Sequence, residues 1–277
     1  MRNKIILSLF ILLINYDFSN AEDTLELIHA KKQKQVSFKI EGLGGHSDYC
    51  AQITLTNSTN QALNIVIRPG TLMVPKDSTL QDLLVVEKKE LKLNPGQKIV
   101  SKLRAFCAAH YKHSPTEKSV FKATIGDSNL IKLANYIDKH PNIADIQSAV
   151  WVVANGIPIS SIDKENMELV KIVSKLSKQP IPDYTVIFAN SSDALFSGQA
   201  SRIKGEIEYT VIGEDMVSLQ IYDDKGRLRK TVFNGRLARR GKHVEEYDID
   251  ISKLKKGVYF IKVHQQNQLI SEKRFEI

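Results

Sequence analysis

The last 62 residues, Met216 to Ile277, run as short stretches of alternating apolar and polar side chains between turn residues. Val217, Leu219 and Ile221 interleave with Ser218, Gln220 and Tyr222, the two-residue period of a half-buried strand. Asp223-Asp224-Lys225-Gly226 follows, and an Asp/Gly tetrapeptide between apolar runs predicts a hairpin, because glycine takes the positive φ of a tight turn. Leu228 to Phe233 returns as its partner. Val244, Tyr247 and Ile249 punctuate a further strand from Gly241 to Ile251. Gly257 to Val263 is β-branched and aromatic, as a central strand should be, and Leu269 to Phe275 closes the unit. Short strands at this spacing predict an Ig-like β-sandwich over 201–277.

Ile221-Tyr222-Asp223 with Gly226, then Gly241, Ile251-Ser252, Leu254 and Gly257-Val258-Tyr259-Phe260 form a pattern at the extreme C-terminus. It resembles the C-terminal sorting domain of type IX secretion cargo in Bacteroidota. It is similar also to the Ig-like module of flagellar hook-capping proteins. The sorting resemblance implies that the outer-membrane secretion machinery is a partner and that the protein is secreted or held on the outer face of the outer membrane. Without a sorting role, the expected location is the periplasm.

The opposite end reads as an address too. Arg2 and Lys4 precede the apolar run Ile5 to Ile14, and Ser19-Asn20-Ala21 supplies small residues for a signal peptidase. The expectation is a signal peptide over 1–21, cleaved before Glu22. No later run is long and apolar enough for a transmembrane helix in the mature chain.

The chain has 277 residues and 42% hydrophobic content, enough for two cores of ordinary size. Its formal charge of +8 is spread along the sequence. The one local cluster, Arg236, Arg239, Arg240 and Lys242, lacks the interleaved aromatic residues of a nucleic-acid surface, so nucleic acid is not an expected partner.

Upstream, Val36, Phe38 and Ile40 alternate, as do Ala51, Ile53 and Leu55. Ala62 to Ile67, Leu80 to Val86, Glu90 to Leu93 and Ile99 to Cys107 read as further strands between Gly, Asn and Pro turns. Three helices follow. Asp127-Ser128 caps one with Leu130, Leu133, Ala134 and Ile137; Asn142 caps one with Ile143, Ile146, Val150 and Val153; Asp163 opens one with Met167, Val170, Val173 and Leu176. The fold class is therefore mainly β with an α-helical insertion. A β-sandwich plus three-helix cap spans 22–182, a linker 183–200, and the Ig-like module 201–277.

The two cysteines of the mature chain, Cys50 and Cys107, read as one disulfide in an exported protein. A competing fate comes from their surroundings. Phe106-Cys107 on a strand and Gln147-Ser148-Ala149-Val150-Trp151 on a later helix resemble the thioester domains of bacterial surface adhesins, with Ile146 where that family carries Thr. The resemblance implies a bond between Cys107 and Gln147, shielded by Phe106 and Trp151 and opened by a surface amine.

Other constellations are less complete. Cys107 with His46, His110 and His113 lacks the ligand set of a zinc site. The acid pairs Asp223-Asp224, Glu245-Glu246 and Asp248 with Asp250 do not predict two carboxylates facing across a cleft. No catalytic residue, cofactor or metal is assigned. The expected function is an exported, non-enzymatic binding protein for a surface protein or glycan; the alternative is a thioester adhesin.

Overall fold

A computed structural model describes residues 24–189 and 198–277. The expected signal peptide at 1–21 and the centre of the expected linker lie outside the described residues.

The body begins with β1 (Thr24–Glu26), α1 (Leu27–Lys32), β2 (Val36–Leu43), β3 (Ala51–Asn57), β4 (Leu63–Ile67), β5 (Thr71–Pro75) and β6 (Leu83–Val85). It continues through β7 (Lys89–Leu93), β8 (Lys98–Leu103), β9 (Ala105–Cys107) and β10 (Glu117–Ile125) to the helices α2 (Ser128–Lys139), α3 (Ile146–Asn155) and α4 (Met167–Ser177). One sheet has seven strands in the order β8-β3-β2-β10-β5-β6-β9, and a smaller one has the order β1-β4-β7. The alternation in β3 is realised as expected: Ala51, Ile53 and Leu55 are buried with Asn57, and the residues between them are half-buried.

The run expected as one strand from Ile99 to Cys107 is two strands, and they form opposite edges of the large sheet. β8 pairs with β3, bringing Leu103 opposite Ala51. After Arg104 the chain continues as β9 and pairs with β6. The other side of β9 then meets the residues just before β3: Ala105 N–H donates to the Asp48 carbonyl (2.7 Å) and Cys107 N–H to that of His46 (3.0 Å). The sheet thus bends round until its two ends share one seam. A closed sheet leaves few unpaired edge groups.

Three helices pack against this sheet, and their apolar faces belong to its core. α2 starts as expected, with Asp127 Oδ1 accepting from the N–H groups of Asn129 (2.8 Å) and Leu130 (3.0 Å). Asn142 does not cap α3. The cap is Asp145, with φ +60°, and its carboxylate instead accepts from Asp163 N–H (3.1 Å) and Asn166 Nδ2 (2.9 Å). That short polar link ties the start of α3 to the turn before α4. Asn142 is a favourable cap by residue type, but the helix begins one turn later, at Ile146. Asp163 caps a 3-10 turn, Lys164–Asn166, that leads into α4: it accepts from Glu165 N–H at 3.0 Å, and Asn166 holds the N-cap position of α4 itself.

The C-terminal module consists of β11 (Tyr184–Phe188), β12 (Ala200–Val211), β13 (Asp215–Asp223), β14 (Leu228–Ala238), β15 (Gly241–Asp250), β16 (Val258–Gln265) and β17 (Gln268–Glu276). Its sheets are β11-β12-β15 and β14-β13-β16-β17. They enclose a separate core in which Ile203, Leu219, Ile221, Ile261, Val263 and Phe275 are almost wholly buried. Tyr259 stacks on Phe275 with ring centroids 5.5 Å apart. Gly205 faces Tyr247 across β12 and β15, and a Cβ there would lie 2.6 Å from the Tyr247 hydroxyl and 2.9 Å from Cζ. The absence of a side chain at 205 is what admits that ring.

The stretch expected as linker, 183–200, begins with a strand of this module. β11 runs antiparallel to β12 with Tyr184 opposite Gly205, and Val186 is 1% exposed in the second core. The module therefore starts near 184 rather than 201. The apolar run Val186-Ile187-Phe188 is visible in the sequence, but so short a run has no partner until β12 supplies one.

Truncation tests this boundary. An isolated fragment of residues 184–277 should unfold cooperatively. A fragment beginning at 201 loses Val186 and the five paired positions of β11, and should be weaker by about 2–3 kcal/mol. That corresponds to a midpoint lower by about 10 °C in thermal denaturation followed by circular dichroism.

Candidate functional site: the Cys107–Gln147 seam

The seam where the sheet closes collects the residues singled out by the sequence. β9 supplies Phe106 and Cys107, the turn before β3 supplies His46, Asp48 and Cys50, and α3 lies across them with Gln147 and Trp151. Arg104, at the junction of β8 and β9, donates from Nε to Asp48 Oδ1 at 2.7 Å. Asp48 (φ +63°) in turn presents its carbonyl to the N–H groups of Ala105 and Cys50.

Gln147 reaches Cys107 from forty positions downstream. Its Oε1 accepts from Cys107 N–H at 3.2 Å, and its Nε2 donates to the Cys107 carbonyl at 2.7 Å. The carboxamide therefore imitates one residue of a neighbouring strand. Asn155 repeats the device two turns along: its Oδ1 accepts from His110 N–H (3.1 Å) and its Nδ2 donates to the Ala108 carbonyl (3.1 Å). In the sequence Asn155 stands before Gly156, and an Asn-Gly pair there marks only the end of a helix. A Gln and an Asn eight apart on one helix are the available signal for this double clamp.

Cys50 and Cys107 do not form the expected disulfide; both are free, buried thiols. The Cys50 thiol is directed at the Ala105 carbonyl, to which it donates at 3.3 Å. The strands it would staple are already joined through Asp48 and His46. Burial pushes the Cys50 thiol up to about 11 from its ordinary 9.0. It pushes Cys107 higher still, with the nearby Cys50 and Asp82 adding to the rise. Both stay protonated at neutral pH. Asp82 is itself raised by burial, against the pull of Lys112, and burial lowers His46.

The other candidate groups are held elsewhere. His110 Nδ1 lies 3.1 Å from Asn155 Oδ1, and His113 offers its carbonyl to Gln81 N–H. Among the described residues no group of three or more His, Cys, Asp or Glu could hold a metal ion. One acid of each pair is engaged with a cation: Asp223 with Arg227 and Arg229, Glu245 with Arg236, and Asp248 with Arg202. Arg236 also lies 3.7 Å over the Phe233 ring, which removes it from the basic cluster as a free cation.

Chemically, the seam holds a protonated thiol, a carboxamide in contact with the same residue, and two buried aromatic residues, Phe106 and Trp151, in the surrounding core. The seam buries the Cys107 sulfur and leaves the Gln147 carboxamide half-buried. It is equally an efficient closure of a sheet edge by side-chain amides.

The second sandwich carries the comparison with known proteins. Residues 203–275, about a quarter of the chain, match the family model of the secretion system C-terminal sorting domain. The match runs from within β12 to near the end of β17 and omits β11. It supports export by type IX secretion, contact with that machinery, and a secreted or cell-surface location. No curated protein matches the chain. Among the described residues no helix is long and apolar enough to cross a membrane.

Two measurements probe the seam. Gln147→Ala removes both bonds to Cys107 and should cost the body about 1–3 kcal/mol in urea unfolding. The thiols should add a pH dependence at the alkaline side. Their folded pKa values are raised, so their contribution is complete below the unfolded value of about 9 and is lost as pH rises toward 11 and above. Replacing both cysteines by Ala should remove that part of the decline.

Proposed function

We propose that this protein is carried out of the cell by its C-terminal module and that its body, residues 24–182, then binds a surface protein or glycan without turnover. The observation that carries the reading is the separate core of the last module together with its match to a sorting domain. A self-contained unit at the end of the chain can be recognised by the export machinery independently of what the body does. The state of the chemical groups in the body agrees with binding: its thiols are protonated and buried, and its clamping amides are engaged with backbone.

A second reading, covalent attachment, is favoured by the placement of the Gln147 carboxamide against Cys107. In that chemistry the Cys107 sulfur attacks Cδ of Gln147. The C–N bond breaks, and the nitrogen leaves as ammonia with the thiol proton. A primary amine on a partner then attacks the thioester carbonyl, forms an amide, and returns the proton to sulfur. Rotation of the Gln147 side chain away from the β9 backbone is the required first motion.

Deletion of residues 184–277 should leave the remainder in the periplasm; recovery of that remainder from the medium or outer surface would refute the sorting role. Intact mass of the mature chain separates the readings of the body. Free thiols give the unmodified mass. A thioester is lighter by one ammonia, and methylamine adds to it in wild type but not in Cys107→Ala or Gln147→Ala. A disulfide is lighter by two hydrogens and reverts with reductant.

A further inference from the structure

The end of the C-terminal module farthest along its β13–β14 hairpin carries a cleft of about 440 Å³ between that hairpin and the loop from β15 to β16. The hairpin contributes Lys225, Arg227 and Arg229, and the loop contributes Lys253, Lys255 and Lys256. All six are exposed. The acidic residues lining the same cleft are Asp223 and Asp224, so positive charge remains in excess.

Asp223 gives the cleft its order. Its side chain is 6% exposed, with Oδ1 accepting from the N–H groups of Lys225 (3.0 Å) and Arg227 (2.9 Å). Its Oδ2 takes Nε of Arg227 at 2.8 Å, and Nε and Nη2 of Arg229 at 2.9 and 2.7 Å. Burial alone would raise this carboxyl, but the bonds from Arg227, Arg229 and Lys225 outweigh it and hold it well below its ordinary value. One carboxylate thus fixes two guanidinium groups while engaging Arg227 through Nε alone. The terminal nitrogens of Arg227 remain available at the cleft. A planar fork held in place is suited to the paired oxygens of phosphate, sulfate or carboxylate.

We propose that this cleft binds an acidic glycan, a chain bearing repeated phosphate, sulfate or carboxylate groups. The cations come from two loops on either side of a trough, which suits a linear polyanion. Its volume is that of a ligand cleft. Its apolar lining is small, with Leu254 and Val258 only partly exposed and Tyr259 buried. A protein partner would need an apolar centre to the contact, which this lining does not offer. The basic cluster at Arg239 and Arg240 belongs to a different turn, and among the described residues no carboxylate pairs with either.

The test uses the full mature protein and a sulfated heparin hexasaccharide, titrated by calorimetry at low and physiological salt. Wild type should bind, more weakly at higher salt because exposed charges are screened. The triple variant Lys253→Gln/Lys255→Gln/Lys256→Gln should bind about tenfold or more weakly, at about half a kcal/mol for each exposed cation. Arg227→Lys keeps the charge and loses the fork, and should bind more weakly than wild type. Arg239→Gln/Arg240→Gln should change binding by less than about twofold, the level of a small long-range effect. Thermal unfolding of each variant verifies that the module remains folded. Equal weakening by the cleft and control variants would overturn the proposal, as would undetectable binding. Binding to phosphatidylglycerol vesicles with no binding to the hexasaccharide would also overturn it, since the anion would then be a lipid headgroup.

Discussion

Arg104 is where one run of chain leaves the first edge of the seven-stranded sheet and joins the last. The bend places β8 and β9 at opposite ends of the strand order, and the turn before β3 lies between them. Arg104 holds that turn through Asp48, whose carbonyl in turn receives the N–H groups of Ala105 and Cys50. Closure of the sheet leaves the carbonyls of Cys107 and Ala108 and the N–H of His110 facing α3, and buried backbone groups without partners are costly. Gln147 and Asn155 meet them. The position of the three-helix cap follows from that need as much as from its apolar faces.

The same contacts bring Cys107 and Gln147 together and keep Cys50 nearby. Structural closure and the proposed acyl chemistry would therefore use one set of atoms. The carboxamide cannot both clamp the backbone of Cys107 and present Cδ to its sulfur, so the two roles correspond to two rotamers of Gln147. Burial acts on both: it favours the amide hydrogen bonds and disfavours the thiolate.

Much of the architecture could be read from the chain. Regular alternation in β3 and β13, the β-branched and aromatic run of β16 and the Asp-Gly turn at 223–226 are local signals, and each came out where the pattern placed it. Asp127 is a cap that the sequence identifies without help, because it acts on N–H groups two and three residues away; Asp163 acts in the same local way on the 3-10 turn that leads into α4. The failures share a cause. The division of 99–107 into two edge strands, the capping of α3 by Asp145 rather than Asn142, and the membership of β11 in the last module all depend on partners distant in sequence. Val186-Ile187-Phe188 has the right residue types for a strand, but only β12 shows which core it enters.

The sequence by itself determined the class of each segment, the separation into a β body with helices and a terminal β module, and the likeness of that module to a sorting domain. These rest on side-chain periodicity, turn chemistry and short motifs, all local properties. Tertiary structure decided the rest: that the large sheet closes at Arg104, that Cys50 and Cys107 are free thiols, that Gln147 grips the backbone of Cys107, and that six cations line one cleft with two of them ordered by Asp223. Each depends on groups brought together by folding, where distance and burial set which pairs bond and which protons are held. No spacing along the chain encodes those quantities.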